Sequence, residues 1–458
     1  MAMTLEHDQP TPTPAPSTAR GTKIVYLGAG AGGMYCGACL HDNTLAAAML
    51  QLGADVLFVP TYTPIRTDEA DVSQKRVLFG GINVYLQERL PLFRYTPWFV
   101  DRLFDSPRLL QWLSRLEFSV QAEKLGRLTV STLRGEHGHQ RKELEKIVQW
   151  LATEIRPDVV HLSNAILAGF AREIGERLGV PVVCTLAGED VFLDKLRPPY
   201  REQARTELRK RVQDISAFVA LNAYYADYMV EYAGINRQKI HVIPHGLKLA
   251  GHAPRVRQAD APPTLGFLAR ICHDKGLHQL VEAFRILAAD DQLPALRLKA
   301  AGYLAPADRQ YLHEIQSQLQ SWGLAERFEY VGELSRDEKI AFLQSLDVMS
   351  VPTTYHESKG LSILEALANA VPVVLPAHGT FPELVADTGG GLLSTPGSAA
   401  DLAQKIKHLL SDPARASAMG LSGHRAVVER YNDRVMAQRT LGVYEHILAS
   451  GKRQLAGM

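Results

Sequence analysis

The chain has 458 residues, 46% of them hydrophobic and 22% charged, with a formal net charge of +1; its length suggests two or three domains, and its near-neutral balance excludes a global electrostatic drive toward nucleic acid. Four dispersed cysteines, Cys36, Cys39, Cys184 and Cys272, argue against a secreted disulfide framework and point to a reducing cytoplasm. No apolar stretch is long enough to span a bilayer, so any membrane contact is expected to be peripheral.

Residues 1–20 read as a disordered, proline-rich tail without the apolar run of a signal peptide. β-rich runs follow at 23–27, 56–59, 159–162, 180–184 and 217–221, with helical patterns at 44–52 and 168–178. The alternation predicts an α/β domain over 21–247, built on a parallel sheet covered by helices. Residues 248–263, rich in Ala, Pro and charge without apolar periodicity, read as a linker. A second βα series, with runs at 264–268, 296–300, 328–331, 347–352 and 372–375, predicts another Rossmann-like domain over 264–430. Residues 431–458 remain as a terminal helical segment.

The first strand runs into Gly28-Ala29-Gly30-Ala31-Gly32-Gly33, a literal G-x-G-x-x-G at Gly28, Gly30 and Gly33. A dinucleotide site needs an acidic residue at the end of the next strand to hold a ribose, and here that strand ends in Pro60-Thr61-Tyr62. A tight structural turn is the plainer reading of these glycines. Cys36-Gly37-Ala38-Cys39 with His41 has no second ligand pair at convincing spacing. These are read as packing residues, and no metal ligand is assigned. Further on, the 98–116 segment interleaves Phe104, Leu109, Leu110, Trp112 and Leu113 with Arg102, Arg108 and Arg115. It reads as packed core, as a lid, or as a peripheral membrane contact.

Arg270 and Lys275 stand five positions apart after the 264–268 strand, and taken alone are either a solvated basic pair or an anion clamp. The most informative stretch is 355–369, where Glu357 and Glu365 lie eight positions apart around a turn at Ser358 and Gly360. Leu361, Leu364 and Ala368 then show helical spacing. Free amides at such a helix start seat phosphate. Eight helical residues would rise roughly 12 Å, a separation that suits one carboxylate on a sugar hydroxyl and the other on a ribose. A first-turn acid beside a solvated surface glutamate is the bland alternative.

Continued through Ala370-Val371-Pro372-Val373-Val374 and Gly379-Thr380-Phe381-Pro382-Glu383-Leu384-Val385, this stretch resembles the E-x7-E signature region of the retaining glycosyltransferases of family 4. The resemblance implies an α/β GT-B fold, two Rossmann-like domains facing across a cleft, with the donor on the C-terminal one and the last helix crossing back to the first domain. It implies a co-substrate, a nucleotide-diphosphate sugar, and no obligatory metal or other cofactor. The acceptor would be a hydroxyl on a sugar, a lipid-linked sugar or a small molecule. Arg270, Lys275 and Glu357 would carry the chemistry. Gly32, Gly33, Ser358, Lys359, Gly360, Leu361 and Glu365 would complete the donor site. The leaving phosphate itself would take the acceptor proton.

Two departures from the family pattern stand out. Where many members have Thr-x-His touching the donor sugar, this chain has Thr185-Leu186-Ala187, and Glu189 or Asp190 become candidate sugar or acceptor contacts beside their alternative roles in capping and loop structure. Lys359 replaces a frequent aromatic. A non-catalytic nucleotide-sugar binder, for which Ala187 argues, and a dinucleotide-dependent oxidoreductase built on the glycine loop are the rival readings.

Overall fold

The computed structural model describes residues 21–30, 37–74, 125–256 and 261–456. The proline-rich tail, Gly32, Gly33, Cys36 and the 98–116 segment lie outside the described residues.

Six parallel strands form the first sheet: β1 (Lys23–Gly28), β2 (Asp55–Pro60), β3 (Val159–Leu162), β4 (Val182–Leu186), β5 (Ala217–Ala220) and β6 (Ile240–Val242), in the order β2-β1-β3-β4-β5-β6. The second contains β7 (Thr264–Leu268), β8 (Arg297–Ala301), β9 (Phe328–Gly332), β10 (Val348–Met349), β11 (Val373–Pro376) and β12 (Gly391–Ser394), in the order β12-β11-β10-β7-β8-β9. Both are wholly parallel, and their central strands, β1, β3, β4 and β5 in the first sheet and β7, β10 and β11 in the second, are buried largely apolar runs because helices cover both faces. Each order reverses at one point, between β1 and β3 in the first sheet and between β7 and β10 in the second. Ligands in open α/β sheets bind in the crevice at the carboxyl ends of the strands flanking such a reversal.

The helices that bear on the site are α1 (Gly37–Gln51), α2 (Ala223–Ala233), α3 (Leu277–Ala288), α4 (Arg336–Gln344), α5 (Leu361–Ala368), α6 (Phe381–Thr388), α7 (Pro413–Arg430) and α8 (Asp433–Ala456). The terminal helix α8 packs on the first sheet: its Met436, Ala437, Val443 and Tyr444 share one buried cluster with Ile24, Tyr26 and Val159. Inside that cluster the Tyr444 hydroxyl lies 2.5 Å from His161 Nδ1, and His161 Nε2 lies 2.8 Å from Thr185 Oγ1. Two chain segments cross between the sheets side by side, since Leu247 N donates to Tyr431 O at 2.7 Å and Asp433 N to Leu247 O at 3.0 Å.

Two elements differ from expectation. The strand expected over 347–352 is only Val348–Met349, because Pro352 has no N–H for a ladder and the chain leaves the sheet there. The expected 168–178 helix starts as a 3-10 turn, Ala165–Phe170, and turns α-helical at Ala171. Within the stretch read as a linker, Arg255 donates to Asp347 at 2.8 Å.

Candidate functional site

Both loops at the reversal of the second sheet carry the charged residues. After β7 the chain makes a 3-10 turn, His273–Lys275, and enters α3 through Gly276. A Cβ on Gly276 would stand 1.8 Å from the carbonyl oxygen of Pro352, and its φ is +78°, so only glycine lets the two loops touch here. This contact brings Lys275 onto the loop after β10. Its ammonium lies 2.5 Å from Glu357 Oε2 and 2.5 Å from the Tyr355 hydroxyl, which itself donates to Glu357 Oε2 at 2.7 Å. The other carboxylate oxygen of Glu357 accepts from the amides of Ser358 and Lys359 at 3.1 and 3.2 Å. Glu357 is 9% exposed. Its burial favours the neutral acid, yet Lys275, Tyr355 and Lys359 outweigh that and hold the carboxyl down at about 2. Burial beside this carboxylate pushes the Tyr355 phenol well above its ordinary range.

Beyond Glu357 the chain turns through Gly360 and starts α5, where the amides of Leu361 and Ser362 precede the first helical bonds, made by Ile363 N and Leu364 N to Gly360 O at 3.1 Å. Arg270, by contrast, is exposed on the turn after β7. Its charge reaches Tyr355 and Asp308, and among the described residues no carboxylate forms an ion pair with it. The result is a cationic rim over a buried carboxylate at the mouth of a helix, an arrangement able to hold a diphosphate and hydrogen-bond a polyol.

The first domain closes directly on these loops. Gly188 sits where a Cβ would lie 2.6 Å from Ser358 Oγ. Asn222, which caps α2, donates from Nδ2 to Ser358 O at 2.6 Å. Glu383 of α6 accepts from the amides of Ala223 and Tyr224 at the start of α2, both at 2.9 Å, and Lys195 pairs with Asp274. Under the cleft, His41 and His245 meet Nδ1 to Nδ1 at 2.7 Å. Burial lowers both imidazoles: His41, with the Lys359 charge adding, falls to about 3, and His245, with His41 and then Lys359 adding, falls well below the ordinary histidine value.

Residues 253–425 match the family model described as glycosyl transferases group 1, and residues 123–250 match the one described as glycosyltransferase family 4. A D-inositol 3-phosphate glycosyltransferase of Stackebrandtia nassauensis is 31% identical over 315 residues, which cover 63% of this chain and 68% of that protein. The chain belongs to glycosyltransferase family 4. Sucrose-phosphate synthase from Thermosynechococcus elongatus is similar in structure with a TM-score of 0.69 at 18% identity, over 93% of this chain and 100% of that one. HepE of Anabaena, solved in complex with UDP, has a TM-score of 0.64 at 17% identity and the same coverage. These likenesses show the two-domain GT-B fold.

In this family 4 glycosyltransferase the residues singled out from sequence have unequal surroundings. Lys275, Glu357, Ser358, Lys359, Gly360 and Leu361 converge on one loop and helix start. Glu365, one turn further along α5, is buried against Lys339 of α4, at 2.5 Å, a partner that local sequence does not announce. Glu189 turns inward: its carboxylate accepts from the amides of Ala165 and Ala187 and from the Tyr225 hydroxyl at 2.9 to 3.0 Å. These bonds give the carboxylate the loop-organising role that stood beside its reading as a sugar or acceptor contact. Asp190 accepts from the same hydroxyl at 2.7 Å and keeps partial exposure. Burial pushes both carboxyls up. Tyr355, Asn222 and Glu383 were missed as site-forming residues. Tyr355 lies within the signature stretch and was there to be found; Asn222, at a helix start, is an ordinary cap until the two domains meet.

Among the described residues no helix is long and apolar enough to cross a membrane, and no three His, Cys, Asp or Glu side chains are grouped to hold a metal ion.

Proposed function

We propose that this glycosyltransferase moves a hexosyl group from a nucleotide-diphosphate sugar to an acceptor hydroxyl with retention at the anomeric carbon. The observation that carries the reading is the Lys275–Glu357 pair, 2.5 Å apart at the start of α5, with Arg270 on the same rim. The bond between the anomeric carbon and the diphosphate oxygen breaks, the bond to the acceptor oxygen forms on the same face, and the acceptor proton passes to the departing phosphate. Charge builds on that phosphate as the bond stretches. Arg270, Lys275 and the α5 amides stabilise it more in the transition state than in the bound donor, which is what accelerates the step. Glu357, ionised at any working pH, accepts from a sugar hydroxyl, while Glu365 accepts from the ribose. HepE, similar in fold, is solved with UDP, which supports a nucleotide in the same cleft.

The test is turnover. Purified protein is incubated with UDP-, GDP- and ADP-hexoses, with and without extracted acceptors, and nucleoside diphosphate release is followed. Acceptor-dependent release with one donor is expected. Tight diphosphate binding without any turnover would instead favour a sugar-nucleotide binder, for which Ala187 in place of histidine remains the argument.

A further inference from the structure

Glu365 is not alone. The Lys339 ammonium of α4 lies 2.5 Å from Glu365 Oε1 and 2.6 Å from Oδ2 of Asp68, which belongs to the other domain. All three side chains are nearly dry, with exposures of 12% for Lys339, 7% for Glu365 and 8% for Asp68. Burial disfavours the ammonium, but the two carboxylates reverse this and raise its pKa well above the lysine range. The cluster holds one cation between two carboxylates in a poorly solvated place, with Arg336 acting on the adjoining Glu69 and His252. Such a site favours hydrogen-bond donors that bring no charge, and a pair of vicinal hydroxyls supplies two.

Asp68 sits on a strap, residues 61–74, that joins the two domains. On one side the strap is tied to α1: Thr44 Oγ1 donates to Glu69, Asn43 Nδ2 to Ala70 O, and Val72 N to Asn43 Oδ1, each at 3.0 Å. On the other it reaches the donor domain through Asp68 on Lys339 and through Arg66 on Glu333 at 3.0 Å. Lys339 is therefore shared between the carboxylate assigned to the ribose and the strap of the opposite domain.

We propose that Lys339 is a positioning residue for ribose recognition, fixing the rotamer and charge of Glu365, and that Asp68 makes this depend on closure of the cleft. The inference rests on the reading that Glu365 receives the ribose. Pairing to Lys339 holds one oxygen of Glu365 and presents the other acceptor positions in a single orientation. Asp68 draws the ammonium toward the strap, so ribose binding and domain closure favour each other.

The test uses whichever of UDP, GDP and ADP binds, its 2′-deoxy analogue, and inorganic pyrophosphate, titrated calorimetrically into the full-length protein. The wild type is expected to prefer the ribonucleotide about tenfold or more, the scale of one hydrogen bond to a charged group. Lys339→Met is expected to bring that preference below about threefold while leaving pyrophosphate affinity intact, Lys339→Arg to retain most of it, and Asp68→Asn to weaken it although Asp68 lies on the opposite domain. A wild-type preference in Lys339→Met, with the preference lost in Glu365→Gln, overturns the inference and leaves the ribose reading standing. Loss in neither variant, or no preference in the wild type, refutes the ribose reading itself. If Lys339→Met does not fold, Lys339→Gln takes its place with the same expected loss, and an unchanged preference in it overturns the positioning role; an unchanged preference in Asp68→Asn overturns the dependence on closure.

Discussion

At the scale of single residues, Lys275 is proposed to serve two partners in turn, Glu357 at rest and a departing diphosphate in the reaction. Removing one transition-state donor costs about 3 kcal/mol, so Lys275→Ala and Arg270→Ala are each expected to lower turnover roughly a hundredfold. Wild-type kinetics in both would remove the clamp from the mechanism. The two glutamates should differ in kind. Glu365→Gln is expected to weaken nucleoside diphosphate and intact donor alike, and Glu357→Gln to impair only the intact donor; equal losses for both ligands in both variants would mean that the loop had collapsed. The Lys275–Glu357 pair also has a pH signature. The Glu357 carboxyl falls from an ordinary 4.5 to about 2 on folding, so its contribution is complete above about pH 4.5 and disappears as the pH falls toward 2. That contribution is at most ~3 kcal/mol. The melting-temperature gap between wild type and Glu357→Gln should therefore shrink between pH 6 and pH 3, and a constant gap would show that the shift does not exist.

Among elements, the decisive feature is the meeting of the loops after β7 and β10, which places residues some eighty positions apart in one cluster. Gly276 makes the meeting possible. Gly276→Ala forces a Cβ onto the Pro352 carbonyl and should displace Lys275, lowering both melting temperature and turnover. Gly397 offers the control. Its φ is +75° with nothing within 4 Å, so Gly397→Ala should cost only backbone strain, about 1 kcal/mol, with normal turnover; equal effects of the two substitutions would deny the contact its role. At this scale the sequence was informative where chemistry is contiguous. The turn at Ser358 and Gly360, the helix after it and the parallel strands follow from residue type and period. Lys339 was not legible, because its meaning comes from α4 packing beside α5, and neither were the partners of Glu189, because the amides of Ala165 and Ala187 that bond it are placed by the fold of the first domain.

For the whole molecule, function resides in how two similar sheets face one another. Asn222 on Ser358, Glu383 on the start of α2, and Asp68 on Lys339 bind the halves from different sides of the cleft. None of these pairs can be read along the chain, since each joins a common polar residue to a partner more than a hundred positions away, whereas the domain pattern itself is periodic and therefore readable. Retention and the Lys275 clamp are tested together by proton NMR of a reaction in progress, with wild type and Lys275→Ala run side by side on the accepted nucleotide-hexose and acceptor. The first-formed glycoside is expected to carry the donor's anomeric configuration, to appear together with one equivalent of nucleoside diphosphate, and to form roughly a hundredfold more slowly in the variant. A product of inverted configuration, or undiminished transfer by Lys275→Ala, would contradict the proposed mechanism.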